Sequence, residues 1–311
     1  MTDFRDNVRG IVAMVLCSLA FILNDTTVKY LSAEMPLGEI MFVRGAIGTV
    51  LLGGVIWALG AFGTSRLMLS RPVIIRTLAE VAASGLYLTA LSHMPIANSS
   101  SILQAVPLVI TAASALFLGE KVGWRRWAAV VVGFLGVLLI VRPGASGFNA
   151  YALFALTAVF FITLRDLAVR WIAPEMPPIL VAFATTIGVG LFGGVLIPIQ
   201  GTVPIGAAEI GLIVFAACCL LCGYFLVVVA MQHGEVSVVT PFRYVFIPFS
   251  IVTGFVVWRE VPDAITVLGI GIIIATGVYT FVRERRLALA RARTAAPPAH
   301  PIAPAPAEPR A

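Results

Sequence analysis

Two acids in this sequence stand in the same local setting. Asp25 is followed four residues later by Lys29, and Asp166 four residues later by Arg170. On a helix that spacing puts acid and base on one face, where they partly neutralise each other. Because the arrangement recurs, a structural or gating pair near opposite membrane faces is favoured over a substrate contact. Arg44 stands about six residues into an apolar run and can either anchor at the nearer interface through its long side chain or face inward. Glu80 can pair with Arg76 or act as a proton or cation acceptor, and Tyr87 lies two turns further along the same face.

Arg243 carries the highest functional weight. It stands in Pro241-Phe242-Arg243-Tyr244, where the proline frees a backbone carbonyl and loosens a helix. A cation between two aromatic rings can hold an anionic or polarised group while Phe242 or Tyr244 stacks on a planar ligand. The competing reading is an ion pair of Arg243 with Glu80 or Asp166 that locks the molecule. Asn98, Ser101 and Gln104 are spaced by three, a polar stripe that either lines a cavity or packs helices. Tyr224 is a further lining candidate.

These residues need a scaffold that keeps charge inside lipid. The chain has 311 residues, of which 60% are hydrophobic and 12% charged, and its mean hydropathy is +1.02. A soluble domain carries about 25% charge, so a water-soluble fold is excluded. With about 20 apolar residues per spanning helix, the expected spans are 10–30, 38–59, 73–92, 97–118, 126–142, 149–169, 179–199, 207–231, 237–258 and 264–282. The first run carries Asn24 and Asp25 and lacks a small-residue cleavage pattern, so it reads as a span rather than a signal peptide.

The net charge of +6 is a topology signal. Most Lys and Arg fall on the side of the two termini, among them Arg66, Arg71, Arg76, Lys121, Arg125, Arg126, Arg165 and Arg170, against Lys29, Arg142 and Arg259 on the other side. Both termini are therefore expected in the cytoplasm, in the cytoplasmic (inner) membrane. Anionic lipid is a secondary partner, and nucleic acid is not expected. Trp124, Trp127, Trp171 and Trp258 lie near span ends, as an interfacial belt requires. Cys17, Cys218, Cys219 and Cys222 all fall in apolar runs, so no disulfide is expected, and the Cys219/Cys222 spacing reads as packing rather than metal binding.

The register that sets Asp25 over Asp166 also aligns Leu23 with Leu164, Val28 with Val169, Glu34 with Glu175, Met35 with Met176 and Pro36 with Pro177. It further pairs Pro107 with Pro248 and Gly136-Val137 with Gly277-Val278. Two copies of five spans result: a terminus at 1–9, a first repeat at 10–142, a second at 149–283 and a disordered cytoplasmic tail at 284–311. An odd number of spans per copy makes the repeats inverted, so the expected fold is an all-α integral membrane protein of ten transmembrane helices. Inverted halves can open a midplane site to either side in turn.

Residues 9–283 resemble the EamA-type branch of the drug/metabolite transporter superfamily. The resemblance rests on Pro36-Leu37-Gly38-Glu39 with Phe42-Val43-Arg44-Gly45, on Leu118-Gly119-Glu120-Lys121 with Pro107 upstream, and on Pro241-Phe242-Arg243-Tyr244 with Trp258-Arg259-Glu260. Arg259-Glu260 departs from the family's usual Gly-Glu. The resemblance implies a central cavity formed mainly by spans 1, 3, 4, 6, 8 and 9. It also implies secondary transport of a small organic metabolite, with members for riboflavin or S-adenosylmethionine looking similar around Asn24-Asp25; amino acid or drug exporters look similar as well.

No cofactor or metal is expected, and a proton, an exchange partner or the substrate gradient are the candidate driving forces. A monomer is expected, since one chain contains a whole pathway. An intramembrane enzyme is disfavoured: no Gly-x-Ser-x-Gly setting with a histidine at membrane depth occurs, and Asp25 and Asp166 are expected near opposite faces. A passive channel is the remaining alternative class.

Overall fold

The computed structural model describes residues 4–117, 123–143, 148–233 and 236–295. Among them ten helices are long and apolar enough to cross a membrane. We label them α1 (Phe4–Leu31), α2 (Leu37–Ala58), α3 (Arg71–His93), α4 (Ile96–Phe117), α5 (Trp124–Val141), α6 (Tyr151–Trp171), α7 (Pro178–Gln200), α8 (Ala207–His233), α9 (Thr240–Trp258) and α10 (Ala264–Ala295). The family-like Leu118-Gly119-Glu120-Lys121 segment and the tail from 296 lie outside the described residues. The last helix continues past the span expected to end at 282 and runs to Ala295. Its Arg-, Ala- and Leu-rich sequence is made of good helix formers.

The halves enclose each other in a pattern that the repeat explains. The helix α1 packs along α8, and the corresponding helix of the second half, α6, packs along α3. Three further contacts join equivalent helices: α2 with α7, α4 with α9 and α5 with α10. In lipid these seams depend on close packing rather than on water exclusion, so small residues concentrate there. A Cβ on Gly45 of α2 would lie 2.4 Å from the Cα of Gly190 in α7. One on Gly269 of α10 would lie 2.7 Å from the carbonyl oxygen of Gly136 in α5. Outward faces carry apolar side chains such as Val50, Trp57, Phe117 and Ile199, all strongly exposed to the surrounding lipid.

The Met-Pro pair sets the same entry into α2 and α7. Met35 and Met176 are both buried, and the prolines that follow hold the backbone extended before the helix begins. Two spans are not continuous α-helices. In α4 the helix breaks between Leu103 and Val106, and α9 opens with a 3-10 segment, Thr240–Val245, after which Phe246–Trp258 is α-helical. Residues of both breaks, Gln104 in the first and Thr240 and Arg243 in the second, face the space between the halves.

The end of the bundle opposite the termini is tied by polar contacts. Lys29 Nζ donates to Glu260 Oε1 at 2.7 Å and to the Met94 carbonyl at 2.8 Å, and it lies 4.7 Å from the centre of the Trp258 ring. The other Glu260 oxygen accepts the Ile96 N–H at 3.0 Å. Gln200 accepts the Gly38 N–H at 2.8 Å, and Glu39 accepts the Val203 N–H at 3.2 Å. Arg142 pairs with Asp263, whose carboxyl is held down to about 2 by the Thr266 N–H and by Arg142. Thus α1, α3, α4 and α9 meet at one buried ion pair, and α2 and α7 are joined at the same end.

Candidate functional site

Between the halves lies a cavity of about 440 Å³. Its wall comes from α1, α3, α4, α6, α8 and α9, the set implied by the family resemblance, and also from α2 through Arg44, Gly45 and Gly48 and from α7 through Thr185, Thr186 and Val189. It extends to Met231 and Thr240, close to the ends of α8 and α9 on the side of the termini.

Arg44 does not reach for an interface. It is buried and turned inward, with Nη1 donating to Asn24 Oδ1 at 2.9 Å. Asn24 donates in turn to Asp25 Oδ1 at 2.9 Å, and Tyr87 Oη donates to Asp25 Oδ2 at 2.7 Å. This chain of bonds links α2, α1 and α3, and it corrects the expected Asp25–Lys29 pair: Lys29 points to the closed end and belongs to Glu260. A buried carboxylate must have its oxygens matched, and here both are.

Two turns away along α3, Arg165 Nη1 binds Glu80 Oε2 at 2.6 Å and its Nε binds Asp166 Oδ1 at 2.9 Å. Glu80 therefore pairs across to α6, not with Arg76. The Arg76 Nε and Nη1 atoms are enclosed with no hydrogen-bond partner among the described residues. Asp166 bonds to the residue before it, in place of the expected partner Arg170. Arg165, read from sequence as one of the residues on the side of the termini, stands within α6 and lines the cavity. Its sequence signal was the adjacent Asp166, an intramembrane acid that an arginine beside it can neutralise.

Arg243 occupies the 3-10 turn of α9 and is exposed on the cavity wall. Among the described residues it makes no ion pair; Glu80 and Asp166 are bound by Arg165, and the competing reading, a lock from Arg243 to either acid, is not seen. Its carbonyl oxygen accepts the Phe246 N–H within the turn and also the Gln104 Nε2, at 3.1 Å. The break in α4 brings Gln104 into the wall.

The polar stripe of α4 does not continue as one. Ser101 is fully enclosed and donates to the Ala97 carbonyl at 2.6 Å, and neither it nor Asn98 reaches the cavity. Phe242 packs beside Ala13, Met14, Ala230 and Val239, and Tyr244 lies against the α5 and α10 core. The aromatic wall is made instead by Tyr224, set edge-on to Phe21 with ring centres 5.5 Å apart, together with Tyr87 and Phe246. Phe21 follows from its position one turn before Asp25. Phe246 is placed by the 3-10 turn, which rotates the residues after Arg243 relative to a regular helix, and no spacing in the sequence announces it. Among the described residues no group of His, Cys, Asp and Glu is arranged to hold a metal ion.

The model of the EamA-like transporter family matches residues 8–142 and again 149–282. A pseudopaline exporter of Pseudomonas aeruginosa is 30% identical over 287 residues, covering 89% of this chain and 97% of that protein. A riboflavin transporter of Vibrio cholerae is 27% identical, covering 87% and 92%, and an S-adenosylmethionine uptake transporter of Rickettsia conorii is 24% identical, covering 89% and 94%. A solved structure 19% identical to this chain superposes with a TM-score of 0.60 over 91% of this chain and 98% of the other, a likeness of fold.

Proposed function

The chain belongs to the EamA-like transporter family, and from that membership we propose that it is a secondary transporter that moves a small organic metabolite by alternating access, with the cavity between α1 and α9 as its binding site. The observation that carries this reading is the asymmetry of that cavity. It reaches toward the termini, while the opposite end is held by Lys29, Glu260 and the α2–α7 contacts. The inverted halves can exchange roles and transfer the closure to the other end.

The named relatives handle organic solutes and include both an exporter and uptake systems. Riboflavin and S-adenosylmethionine are accordingly the first solutes to test, with amino acids representing exporter substrates. We place Asp25, Arg44, Glu80, Tyr87, Gln104, Asp166, Tyr224 and Arg243 in the binding or gating machinery, since all of them line the cavity. Asn98, Ser101, Phe242 and Tyr244 are assigned to packing. The basic bias of the side bearing the termini supports the inner membrane with both termini cytoplasmic. A monomer suffices for the pathway, and transport draws on a proton, an exchange partner or the solute gradient.

The test is uptake and counterflow in proteoliposomes with radiolabelled riboflavin, S-adenosylmethionine, amino acids and nucleosides. Saturable uptake accelerated by the same solute on the far side, and lost in Arg243→Ala, is the expected result. Flux that rises linearly with concentration and ignores the far side would make the protein a channel.

A further inference from the structure

Resting on the transport reading, we infer that the carried solute bears a carboxylate, and that Arg243 is the residue that takes it. Three acids, Asp25, Glu80 and Asp166, and three cations, Arg44, Arg165 and Arg243, line the cavity, but they are not paired one to one. Arg44 stands with Asp25 through Asn24, and Arg165 binds Glu80 and Asp166. Arg44 and Arg243 both lack an acid within ion-pair distance among the described residues, but Arg44 is tied to Asp25 through Asn24, whereas Arg243 reaches no acid directly or through another side chain, and it is exposed on the wall. A cation that is unpaired and accessible on the wall of a cavity is a ready counter-charge for a solute anion.

The chemistry of that anion follows from its surroundings. A guanidinium offers a planar pair of N–H groups that fits the two oxygens of a carboxylate. A phosphate dianion asks for more than one unpaired positive charge, whereas Arg243 is the lining cation that reaches no acid, and the wall also holds acceptors with spare capacity. Asp166 uses only Oδ1 toward Arg165, and its side chain is 32% exposed against 14% for Glu80. Gln104 donates its Nε2 and keeps its carbonyl oxygen. Such acceptors repel a second negative charge and suit an amine or hydroxyl on the same solute. Tyr224, Phe21 and Phe246 offer apolar surface to the remainder.

The experiment compares, by competition in proteoliposome counterflow, the free acid of the carried solute with its methyl ester and its phosphate-bearing counterpart. It does so in the unaltered protein, Arg243→Lys and Arg243→Gln, each checked for a single monodisperse species. In the unaltered protein the ester is expected to compete at least about tenfold more weakly than the acid, the scale of one lost charge-assisted contact. Arg243→Gln is expected to abolish the distinction between acid and ester, with Arg243→Lys intermediate. A merely structural role for Arg243 would lower transport without changing that ratio. Saturable counterflow of a solute with no carboxylate, such as riboflavin, an ester that competes as well as the acid, or a phosphate ester that competes better, would overturn the carboxylate assignment and leave the transporter standing. Absence of saturable flux for every solute would instead remove the transport reading, and this inference with it.

Discussion

Lys29 and Glu260 show how residue identity decides the state of the whole bundle. Their ion pair is largely withdrawn from solvent, with side chains 8% and 23% exposed, and each partner also satisfies a backbone group of the α3–α4 connection. Removing one partner leaves the other charged and enclosed, at a cost of about 3 kcal/mol. Lys29→Met and Glu260→Gln are therefore each expected to lower the unfolding temperature and to raise labelling of a cysteine placed at the closed end. Combining Lys29→Met with Glu260→Met is expected to recover much of the stability while keeping the raised labelling; recovery of both would show that the pair does not hold that end shut. The intramembrane charges were legible in the sequence as a set, but their partners were not. Spacing of four along one helix pointed to Asp25–Lys29 and Arg76–Glu80, whereas Lys29 finds Glu260, Asp25 finds Tyr87 beside its neighbour Asn24, and Glu80 finds Arg165, each across to a segment distant in sequence. Pairing across a bundle depends on helix rotation, which an apolar stretch in lipid does not encode by periodicity.

Elements were read more surely than contacts. An apolar run of about 20 residues has one solution in lipid, a helix, so spans emerge from hydropathy alone. Their internal breaks were only partly foreseen: Pro241 announced the loosened start of α9, while the interruption at Gln104 and Ala105 had no comparable signal beyond Pro107. The end of α9 carries a backbone feature that the motif comparison anticipated in part. Arg259, at the position where the family usually has glycine, adopts φ of 58°, a conformation that costs a non-glycine residue about 1 kcal/mol. Contact of its guanidinium with the Phe255 ring at 5.4 Å offsets part of this. Arg259→Gly is expected to stabilise the purified protein by up to about 1 kcal/mol, seen as a modest rise in unfolding temperature with Glu260 still in place. A fall would mean that the ring contact outweighs the strain.

At the scale of the whole molecule, the repeat was the most informative feature of the sequence. Identities such as Asp25 with Asp166 and Pro36 with Pro177 implied two inverted halves, and the pairing of α1 with α8 and of α3 with α6 is the same contact made twice. What the repeat could not reveal was where the copies differ in use. Asp25 is held by an asparagine and a tyrosine, Asp166 by an arginine, and Arg44 corresponds to a threonine, Thr185. Divergence of this kind makes a site with one orientation out of a symmetric frame.

The charges on that site have an electrical consequence. A carrier whose binding site changes sides moves any net charge in the site relative to the membrane potential, at about 2.3 kcal/mol per elementary charge per 100 mV. The six lining charges cancel, Asp25, Glu80 and Asp166 against Arg44, Arg165 and Arg243, so the empty site is neutral and a monovalent anion gives it one negative charge. Uptake of such an anion is therefore expected to respond to imposed potassium-diffusion potentials, while uptake of a zwitterion bearing the same carboxylate is not. Voltage-independent uptake of the anion would show that a compensating cation or proton crosses with it.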